Sequence, residues 1–323
     1  MGITIYDVAA GAQVSPATVS RVLAGGNSVA PETAERVRTV IERLGYRPDR
    51  VAQSLRRQRS GTIGLVISVD AHPASSAIID RLSRRLAEAE LSLFLGTTGH
   101  EPFGAVVDRL IAQRVDGLIL VRGRPTVDLP ASDGAEIPIL ALDCGHGELH
   151  HDSVRVDHAA GIRQAVRFLV KEGARRLAYI GEGTASVIGA EQLDGYAAAT
   201  AELETQQAAL RLGPASAHFA NSELQRLLAG DDPPDAYVCG SDVVAAAINA
   251  ALPVELGEER PLIVGYGAMP WVSLMRPALT TVRLPIEELV DEAVRVLQQR
   301  LGGLRSDPVD IALPPSLILG ETS

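Results

Sequence analysis

Apolar residues recur at helical spacing in three segments near the start of the chain. The stripes are Ile5, Val8 and Ala9, then Val19, Val22 and Leu23, then Ala34, Val37, Val40, Ile41 and Leu44. Ser15 and Pro16 favour a helix start, because a hydroxyl caps a free amide and proline needs no amide partner there. Pro31 opens the third segment and Gly45 ends it. The pattern fits a helix-turn-helix with a short second helix, and an ordinary helical hairpin equally well.

From residue 61 onward, apolar runs typical of buried strands alternate with amphipathic helices. We predict strands at residues 62–69, 91–95, 117–121 and 137–142, then at 177–180, 236–239 and 262–265, with a last helix at 287–301. Continuous apolar strands separated by helices indicate parallel sheets covered on both faces. Two such series predict two similar lobes, with a ligand cleft at the carboxyl ends of their strands.

Charge is distributed unevenly along the chain. The 323 residues carry a formal net charge of −10, yet residues 1–60 hold nine arginines, no lysine and five acidic residues. A basic head on an acidic body predicts salt-dependent DNA binding through one end. Cys144 and Cys239 lie far apart and fit a reducing compartment. Without a membrane-length apolar run or a signal-peptide pattern, we expect a soluble cytoplasmic protein with no membrane partner.

Five consecutive blocks add a specific resemblance. They read TIYDVA (residues 4–9), VSPATVSRVL (14–23), PETAERV (31–37), ERLGYRPDRVAQSLR (42–56) and SGTIGLVI (60–67). They are similar to the amino-terminal blocks of the lac repressor (LacI/GalR) family, with the head closest to catabolite-control and lac repressor members. The resemblance implies an all-α helix-turn-helix head and an α/β body of two doubly wound parallel-sheet lobes, like periplasmic sugar-binding proteins.

The resemblance also implies a division of the chain. Residues 1–45 would form the DNA-binding domain, and 46–60 the hinge, which becomes helical only on the operator. Residues 61–323 would bind the effector and dimerise. Their first lobe would hold about 61–158 and 284–312, and their second about 159–283 and 313–323, with three crossings between lobes.

Arg21 is the best candidate for reading a base, because a guanidinium can bond both acceptors of guanine in the major groove. A phosphate contact or a surface salt bridge is the alternative. Ala17 can touch a thymine methyl or have no energetic role, and Pro16 removes a possible polar contact. The family implies phosphate contacts by hydroxyl-bearing residues, which can instead serve as caps. They are Thr4, Tyr6, Ser15, Thr18, Ser20 and Thr33.

The hinge carries the remaining DNA candidates. Leu55 matches the family's wedge between minor-groove base steps. Ala52, one turn earlier, would let paired hinge helices approach closely, and Arg50 completes the DNA-binding set. Asp49 stands where an amide is common, and a carboxylate beside phosphates puts that contact in doubt.

The predicted cleft departs from the sugar-binding members. Gln192 stands where an Arg is common, Ser241-Asp242 replaces an Asn-Asp pair, Gly267-Ala268 replaces an Asp pair, and residues 72–75 replace Asn-Pro-Phe-Phe. Aromatic residues make up only 3% of the chain, so few rings can stack on a sugar. We therefore expect either a ligand other than a simple hexose held by the common anchors, or a cleft that has lost its ligand.

Candidate effector contacts are polar residues near the expected cleft, each of which could instead be a cap or rim group. They are Asp70, His72, Ser75, Arg122, Asp143, Asp157, Gln192, Ser241, Asp242 and Tyr266. Arg122 could bind an anionic ligand such as a phosphosugar or a carboxylate. Residues 144–152 contain Cys, His, Glu and Asp, but a glycine-containing loop favours a solvated segment over zinc. We expect no metal and no cofactor.

These features predict a DNA-binding transcriptional regulator. A homodimer would repress from a palindromic double-stranded operator under control of a small-molecule effector, a sugar or derivative. The alternative is a ligand-independent or co-repressor-dependent regulator with a non-sugar or vestigial site. An enzyme is disfavoured because no dinucleotide-binding, P-loop or nucleophile-elbow motif occurs. A transport solute-binding protein is disfavoured by the DNA-binding head. Without a terminal leucine heptad, we expect no tail-mediated tetramer.

Overall fold

The computed structural model describes most of the chain. The described residues are 3–23, 29–46, 59–67, 74–99, 101–121, 137–145, 151–184, 186–203, 205–253, 260–304 and 306–322. They form two compact units, Met1–Ser60 and Gly61–Ser323. The first unit is the head and the second is the body.

The described residues of the head form three helices, α1 (Ile5–Ala12), α2 (Pro16–Leu23) and α3 (Pro31–Leu44). Their apolar stripes pack into one core, formed by Val8, Ala9, Ala12, Val19, Val22, Val37 and Val40. The predicted helix starts at Pro16 and Pro31 are confirmed. Gly45 ends α3 in the left-handed conformation (φ 63°), which costs a residue without a Cβ little. Local capping chemistry therefore sets these helix ends.

The strands that the structure describes in the body form two six-stranded sheets. The first has the order β11-β5-β4-β3-β1-β2 and the second β12-β10-β9-β8-β6-β7. The first sheet comprises β1 (Thr62–Ile67), β2 (Ser92–Thr97), β3 (Gly117–Val121), β4 (Ile139–Leu142), β5 (Asp152–Val156) and β11 (Asp310–Leu313). The second comprises β6 (Arg176–Gly181), β7 (Gln206–Leu212), β8 (Ala236–Cys239), β9 (Leu262–Gly267), β10 (Thr280–Arg283) and β12 (Ser316–Ile318).

In the described part of the body, seven α-helices cover these sheets: α4 (Ala74–Glu88), α5 (Phe103–Ala112), α6 (His158–Lys171), α7 (Val187–Glu202), α8 (Ala217–Leu228), α9 (Asp242–Ala251) and α10 (Ile286–Leu301). Helices α4 and α10 pack on each other, and α10 also contacts β4 and β5 of the first sheet. Helix α6 packs against α7 and the second sheet. The first lobe therefore consists of the first sheet with α4, α5 and α10, and the second lobe of the second sheet with α6 to α9.

The predicted parallel sheets are confirmed with one exception. Every described strand pair is parallel except β10 and β12, which pair antiparallel. The chain passes from β11 in the first sheet to β12 in the second within a few residues. The chain therefore enters the second sheet at the carboxyl ends of the other strands, and β12 runs antiparallel to β10. A doubly wound sheet often carries such an antiparallel edge strand.

Candidate nucleic-acid interface and effector cleft

Helix α2 presents two residues on the outside of the head. Val19 and Val22 are buried in the head core, whereas Ala17 and Arg21 are exposed. Residues four positions apart lie on the same helical face. The outward surface of α2 therefore carries the guanidinium of Arg21 and the methyl group of Ala17 on the same face. This arrangement can bond a base edge and touch a thymine methyl in a major groove.

Two of the predicted phosphate contacts, Ser15 and Thr4, act as helix caps, and a third, Thr18, bonds to Ser15. The Ser15 hydroxyl accepts a bond from the Thr18 N–H (3.1 Å), and the two hydroxyl oxygens lie 2.9 Å apart. Thr4 caps α1, and its hydroxyl donates to Asp7 (2.7 Å). Bonds from the Thr4 backbone N–H and hydroxyl lower the pKa of Asp7. Because a hydroxyl has a single proton, Thr4 can donate to a phosphate only by releasing Asp7.

The other phosphate candidates differ in exposure. Tyr6 is 67% exposed on α1. Ser20 and Thr33 are half-buried. A side chain as open as that of Tyr6 can reach a phosphate without rearranging the head. Ser15 precedes α2, and Pro16, Ala17 and Thr18 form its first turn.

Several predicted site residues lie outside the described part of the chain. They are the hinge residues Asp49, Arg50, Ala52 and Leu55, and the cleft candidates Asp70, His72 and Arg122. Residues 146–150 of the loop considered for zinc lie there as well.

Two of the cleft candidates meet through a histidine that sequence reasoning missed. Asp143 follows β4 in the first lobe, and Tyr266 lies near the carboxyl end of β9 in the second. His158 Nε2 lies 2.9 Å from Asp143 Oδ1, and its Nδ1 lies 2.6 Å from the Tyr266 hydroxyl. All three residues are about 1% exposed. The carboxyl ends of the two sheets therefore face each other. The sequence did contain one sign of this role, because His158 lies just after β5, where the chain crosses from the first lobe to the second.

Gln192 is built into the second lobe. It is 2% exposed, and its side-chain oxygen accepts a bond from the Tyr179 hydroxyl (2.9 Å). Its amide nitrogen donates to the Gly240 carbonyl (3.2 Å). Burial raises the pKa of Tyr179 and keeps the phenol protonated as the donor. Gln192 thus joins α7 to β6 and to the residue that follows β8.

Asp242 holds the turn that follows β9. It is 1% exposed and accepts bonds from the Thr281 hydroxyl (2.5 Å) and the Met269 N–H (2.7 Å). Within that turn, Gly267 and Ala268 have φ values of 128° and 51°. Burial raises the pKa of Asp242, and its bonds from Thr281 and the backbone oppose that shift. The carboxylate therefore satisfies donors of a left-handed turn.

The remaining cleft candidates include two helix caps. Asp157 accepts a bond from the Ala160 N–H (2.8 Å) at the start of α6, and Ser241 accepts one from the Val244 N–H (3.3 Å) at the start of α9. Ser75, near the start of α4, is 7% exposed, and its hydroxyl lacks a hydrogen-bond partner in the described structure. Asp157 and Ser241 are therefore helix caps, which is one of the roles that the sequence allowed for them.

The described ends of the 144–152 loop are engaged in other contacts. The Cys144 thiol donates to the Leu120 carbonyl (3.2 Å), and Asp152 pairs with Arg300 (2.7 Å). No group of three or more potential metal ligands occurs among the residues that the structure describes. In the same part of the chain, no helix is long and apolar enough to cross a membrane.

Comparisons with known proteins agree with this architecture. Residues 4–49 match the model for bacterial regulatory proteins of the lacI family, and residues 166–323 match a periplasmic binding protein-like domain. The chain is 31% identical over 336 residues to the HTH-type transcriptional regulator CelR of Thermobifida fusca, covering 99% of this chain and 98% of CelR. It is 28% identical over 331 residues to the ribose operon repressor of Haemophilus influenzae, and the match covers 99% of this chain and 98% of that repressor.

Solved structures extend the similarity to the whole fold. A lac repressor dimer bound to operator and the anti-inducer ONPF matches with a TM-score of 0.87 at 28% identity, covering 100% of this chain and 99% of that chain. A CelR–cellobiose complex matches with a TM-score of 0.70 at 29% identity, and the match covers 99% of this chain and 100% of the CelR chain. With its three-helix head and its two facing parallel-sheet lobes, the chain belongs to the lacI family of bacterial regulatory proteins.

Proposed function

We propose that this chain is a transcriptional repressor that binds a palindromic operator as a homodimer and responds to a small molecule held between its lobes. The observation that carries the proposal is the outward face of α2, where Arg21 and Ala17 are exposed on a packed three-helix head. The similar proteins support it, since they include the ribose operon repressor and a lac repressor dimer bound to operator.

The DNA contacts follow from chemistry. Arg21 reads a guanine, and Ala17 contacts a thymine methyl beside Pro16. Hydroxyl-bearing residues hold phosphates, with Tyr6 the most open of them: Thr4, Tyr6, Ser15, Thr18, Ser20 and Thr33. In the hinge, residues 46–60, Leu55 is the minor-groove wedge, with Ala52 and Arg50 beside it. We retain residues 1–45 as the DNA-binding domain and 61–323 as the effector-binding and dimerisation domain, with the lobe boundaries given above.

The effector differs from a hexose held by the family's common anchors. Gln192 is bonded to Tyr179 and Gly240, and Asp242 to Thr281 and Met269, so these groups are engaged within the second lobe. We propose that the contacts come instead from Asp70, His72, Ser75 and Arg122 of the first lobe, and from Asp143 and Tyr266 when a ligand replaces their bonds to His158, which lie between the lobes and not within one of them. CelR, a similar protein, forms a cellobiose complex. A ligand-independent or co-repressor-dependent regulator is the alternative.

The chain acts by binding and not by catalysis, and it does so in the cytoplasm, where bacterial DNA lies. The similar proteins are transcriptional regulators. Among the described residues, the buried carboxylates Asp143 and Asp242 accept bonds from neighbouring backbone N–H groups, and Asp143 also contacts His158 and Asp242 the Thr281 hydroxyl. This arrangement suits a binding protein.

The first test is selection of the operator. The full chain is incubated with a pool of random duplexes, and bound DNA is amplified and sequenced. We expect an inverted repeat that binds about 10³-fold or more tightly than a duplex with one scrambled half-site. Fluorescence anisotropy across a salt series should show log affinity falling linearly with log salt concentration. Enrichment of no sequence, or of a single unrepeated half-site, would count against a dimeric repressor.

The second test identifies the effector class. Thermal unfolding of the full chain is followed with sugars, phosphosugars, nucleosides and organic acids in turn. A compound at a hundred times its Kd should stabilise the folded body by about 2.7 kcal/mol. Asp143→Asn should reduce that shift, whereas Asp194→Asn, on the exposed face of α7, should leave it unchanged. No shift with any class would favour the ligand-independent alternative.

A further inference from the structure

The end of α1 leaves one carbonyl without a local donor. The helix ends at Ala12, and the N–H groups of the next two residues, Gln13 and Val14, bond back to earlier carbonyls of α1. The residue four positions after Ala12 is Pro16, which has no N–H to continue the helical pattern. Ala12 is 0% exposed, so water does not reach its carbonyl oxygen. A buried carbonyl of this kind requires a donor from elsewhere in the fold.

Arg36 on α3 supplies that donor. Its Nε–H donates to the Ala12 carbonyl oxygen (3.0 Å), across 24 positions of the sequence. Within the part of the chain that the structure describes, this is the one donor to that oxygen and the one hydrogen bond of the Arg36 side chain. A single bond thus joins α3 to the residue at which α1 ends.

The two helices also approach closely at this place. A Cβ built on Gly11 would lie 2.9 Å from Val40 Cγ1 and 3.5 Å from Arg43 Nη2. Arg36, Val40 and Arg43 follow one another at intervals of four and three residues, so they lie on one face of α3. The Arg36 bond is therefore part of a close contact that holds the end of α1 against α3.

Only three residues, Gln13, Val14 and Ser15, separate this held end from α2. Gln13 has a left-handed backbone (φ 53°), Val14 packs against the head core and Ser15 caps α2. Because each of the three is engaged in the turn, the turn has little freedom to redirect the helix that follows it. The direction of α2, and of Arg21 on its outward face, therefore depends on where α3 holds Ala12.

We propose that Arg36 is a positioning residue for base recognition, which holds the Ala12 carbonyl so that α2 presents Arg21 to the major groove at a fixed angle. The inference rests on the proposed function, because Arg21 reads a base only if the chain binds an operator. A bidentate bond to guanine tolerates little misalignment, since both N–H groups must point at their acceptors. Arg36 thereby contributes to specificity without touching DNA.

Two substitutions separate the bond from the charge. Glutamine carries its Nε2 at the same number of bonds from the backbone as the Nε of arginine, so Arg36→Gln keeps a donor and removes the charge. Methionine has the same length, and Arg36→Met removes both. By anisotropy on the selected operator, we expect Arg36→Met to bind about tenfold more weakly and Arg36→Gln to stay within about threefold of the unchanged chain.

The same titrations distinguish a direct DNA contact. The slope of log affinity against log salt concentration should be unchanged in both variants, whereas loss of a phosphate contact reduces it by about 0.9. Equal losses in Arg36→Gln and Arg36→Met overturn the proposal, and a reduced slope then assigns Arg36 to a phosphate. Full affinity in Arg36→Met overturns it as well.

Base preferences separate positioning from stability. A smaller folded fraction weakens binding to every duplex by the same factor, whereas a misdirected α2 loses preference at the base pair that Arg21 reads. We expect the second pattern for Arg36→Met on duplexes with single base changes, and intact preferences for Arg38→Met, which removes a charge from the exposed surface of α3. In an Arg21→Ala background, Arg36→Met should cost less than about threefold. A full tenfold loss there overturns the proposal, because Arg36 would then act independently of Arg21.

Hydrogen exchange measured by mass spectrometry on the full chain tests the bond without DNA. The amides of α2 should exchange faster in Arg36→Met than in Arg36→Gln or the unchanged chain, and equal exchange in all three overturns the proposal. If the unchanged chain selects no operator, the proposed function fails, while hydrogen exchange still decides whether Arg36 holds α2. If Arg36→Met does not fold, Arg36→Gln decides alone, and a loss of affinity greater than about threefold overturns the proposal.

Discussion

Replacing Asp242 by alanine is expected to lower the free energy of unfolding of the body by about 3–5 kcal/mol. The substitution removes the acceptor for the buried Thr281 hydroxyl proton and for the Met269 N–H, while Thr281 keeps the bond that it accepts from the Ala268 N–H. It also releases the left-handed turn at Gly267 and Ala268. Urea unfolding of the full chain measures the change. Trp271, the single tryptophan, follows that turn and reports on it by fluorescence.

The same carboxyl predicts a pH dependence with a definite sign. Burial raises the folded-state pKa of Asp242 above its ordinary value of 3.8, so the folded chain binds this proton more strongly than the unfolded chain. The stability contributed by this group is therefore highest below pH 3.8 and declines as the pH rises through the window up to the folded pKa. Asp242→Asn does not titrate, so its stability deficit relative to the unchanged chain should shrink as the pH rises from about 4 to 7.

The matched control is Asp194→Asn, which neutralises an exposed carboxylate on α7. Its free energy of unfolding should stay within about 0.5 kcal/mol of that of the unchanged chain. If Asp242→Ala is equally mild, or if the deficit of Asp242→Asn grows with rising pH, then Asp242 does not hold the turn as a buried carboxylate.

Replacing Arg21 by alanine is expected to cost about 1–3 kcal/mol of discrimination at one base pair of each operator half-site. Arg21 is exposed on α2, where its guanidinium can bond both acceptors of a guanine. Anisotropy is measured with the selected operator and with duplexes that carry single base changes. The variant should lose preference at one position and keep it at the others, while non-specific binding at low salt survives.

Arg38→Ala is the matched control, because it removes the same charge from the exposed surface of α3. It should weaken all duplexes equally and leave the pattern of base preferences intact. Should Arg21→Ala behave like Arg38→Ala, Arg21 contacts a phosphate and base reading lies elsewhere.

Helix starts in the head were predictable because capping is local. Ser15, Pro16 and Pro31 determine the backbone within one turn, and Gly45 ends α3 without help from distant residues. Strand ends were less predictable. β2 continues to Thr97 and β9 to Gly267, beyond the predicted residues 95 and 265. Their last residues pair with Ile67 and Arg283 on neighbouring strands, and such partners are distant in sequence.

In the cleft, too, some features were predictable from the sequence and others depend on packing between distant residues. The sequence revealed that Gln192 and residues 267–268 depart from the family's polar anchors. It contained no sign that Gln192 joins Tyr179 to Gly240, or that Asp242 turns inward to Thr281 and Met269. Those bonds connect α7, α9 and β10 to strand ends, and they form only when packing brings these elements together.

Residue order alone was sufficient to establish the helix-turn-helix head, the alternation of strands and helices and the family, because caps, periodicity and motifs are local or consecutive. His158 is different. Its neighbours along the chain describe an ordinary helix start, and its partners Asp143 and Tyr266 are 15 and 108 residues away. The buried connection between the lobes arises only when two sheets face each other, because van der Waals contact and hydrogen bonding act over a few ångströms in space and not along the sequence.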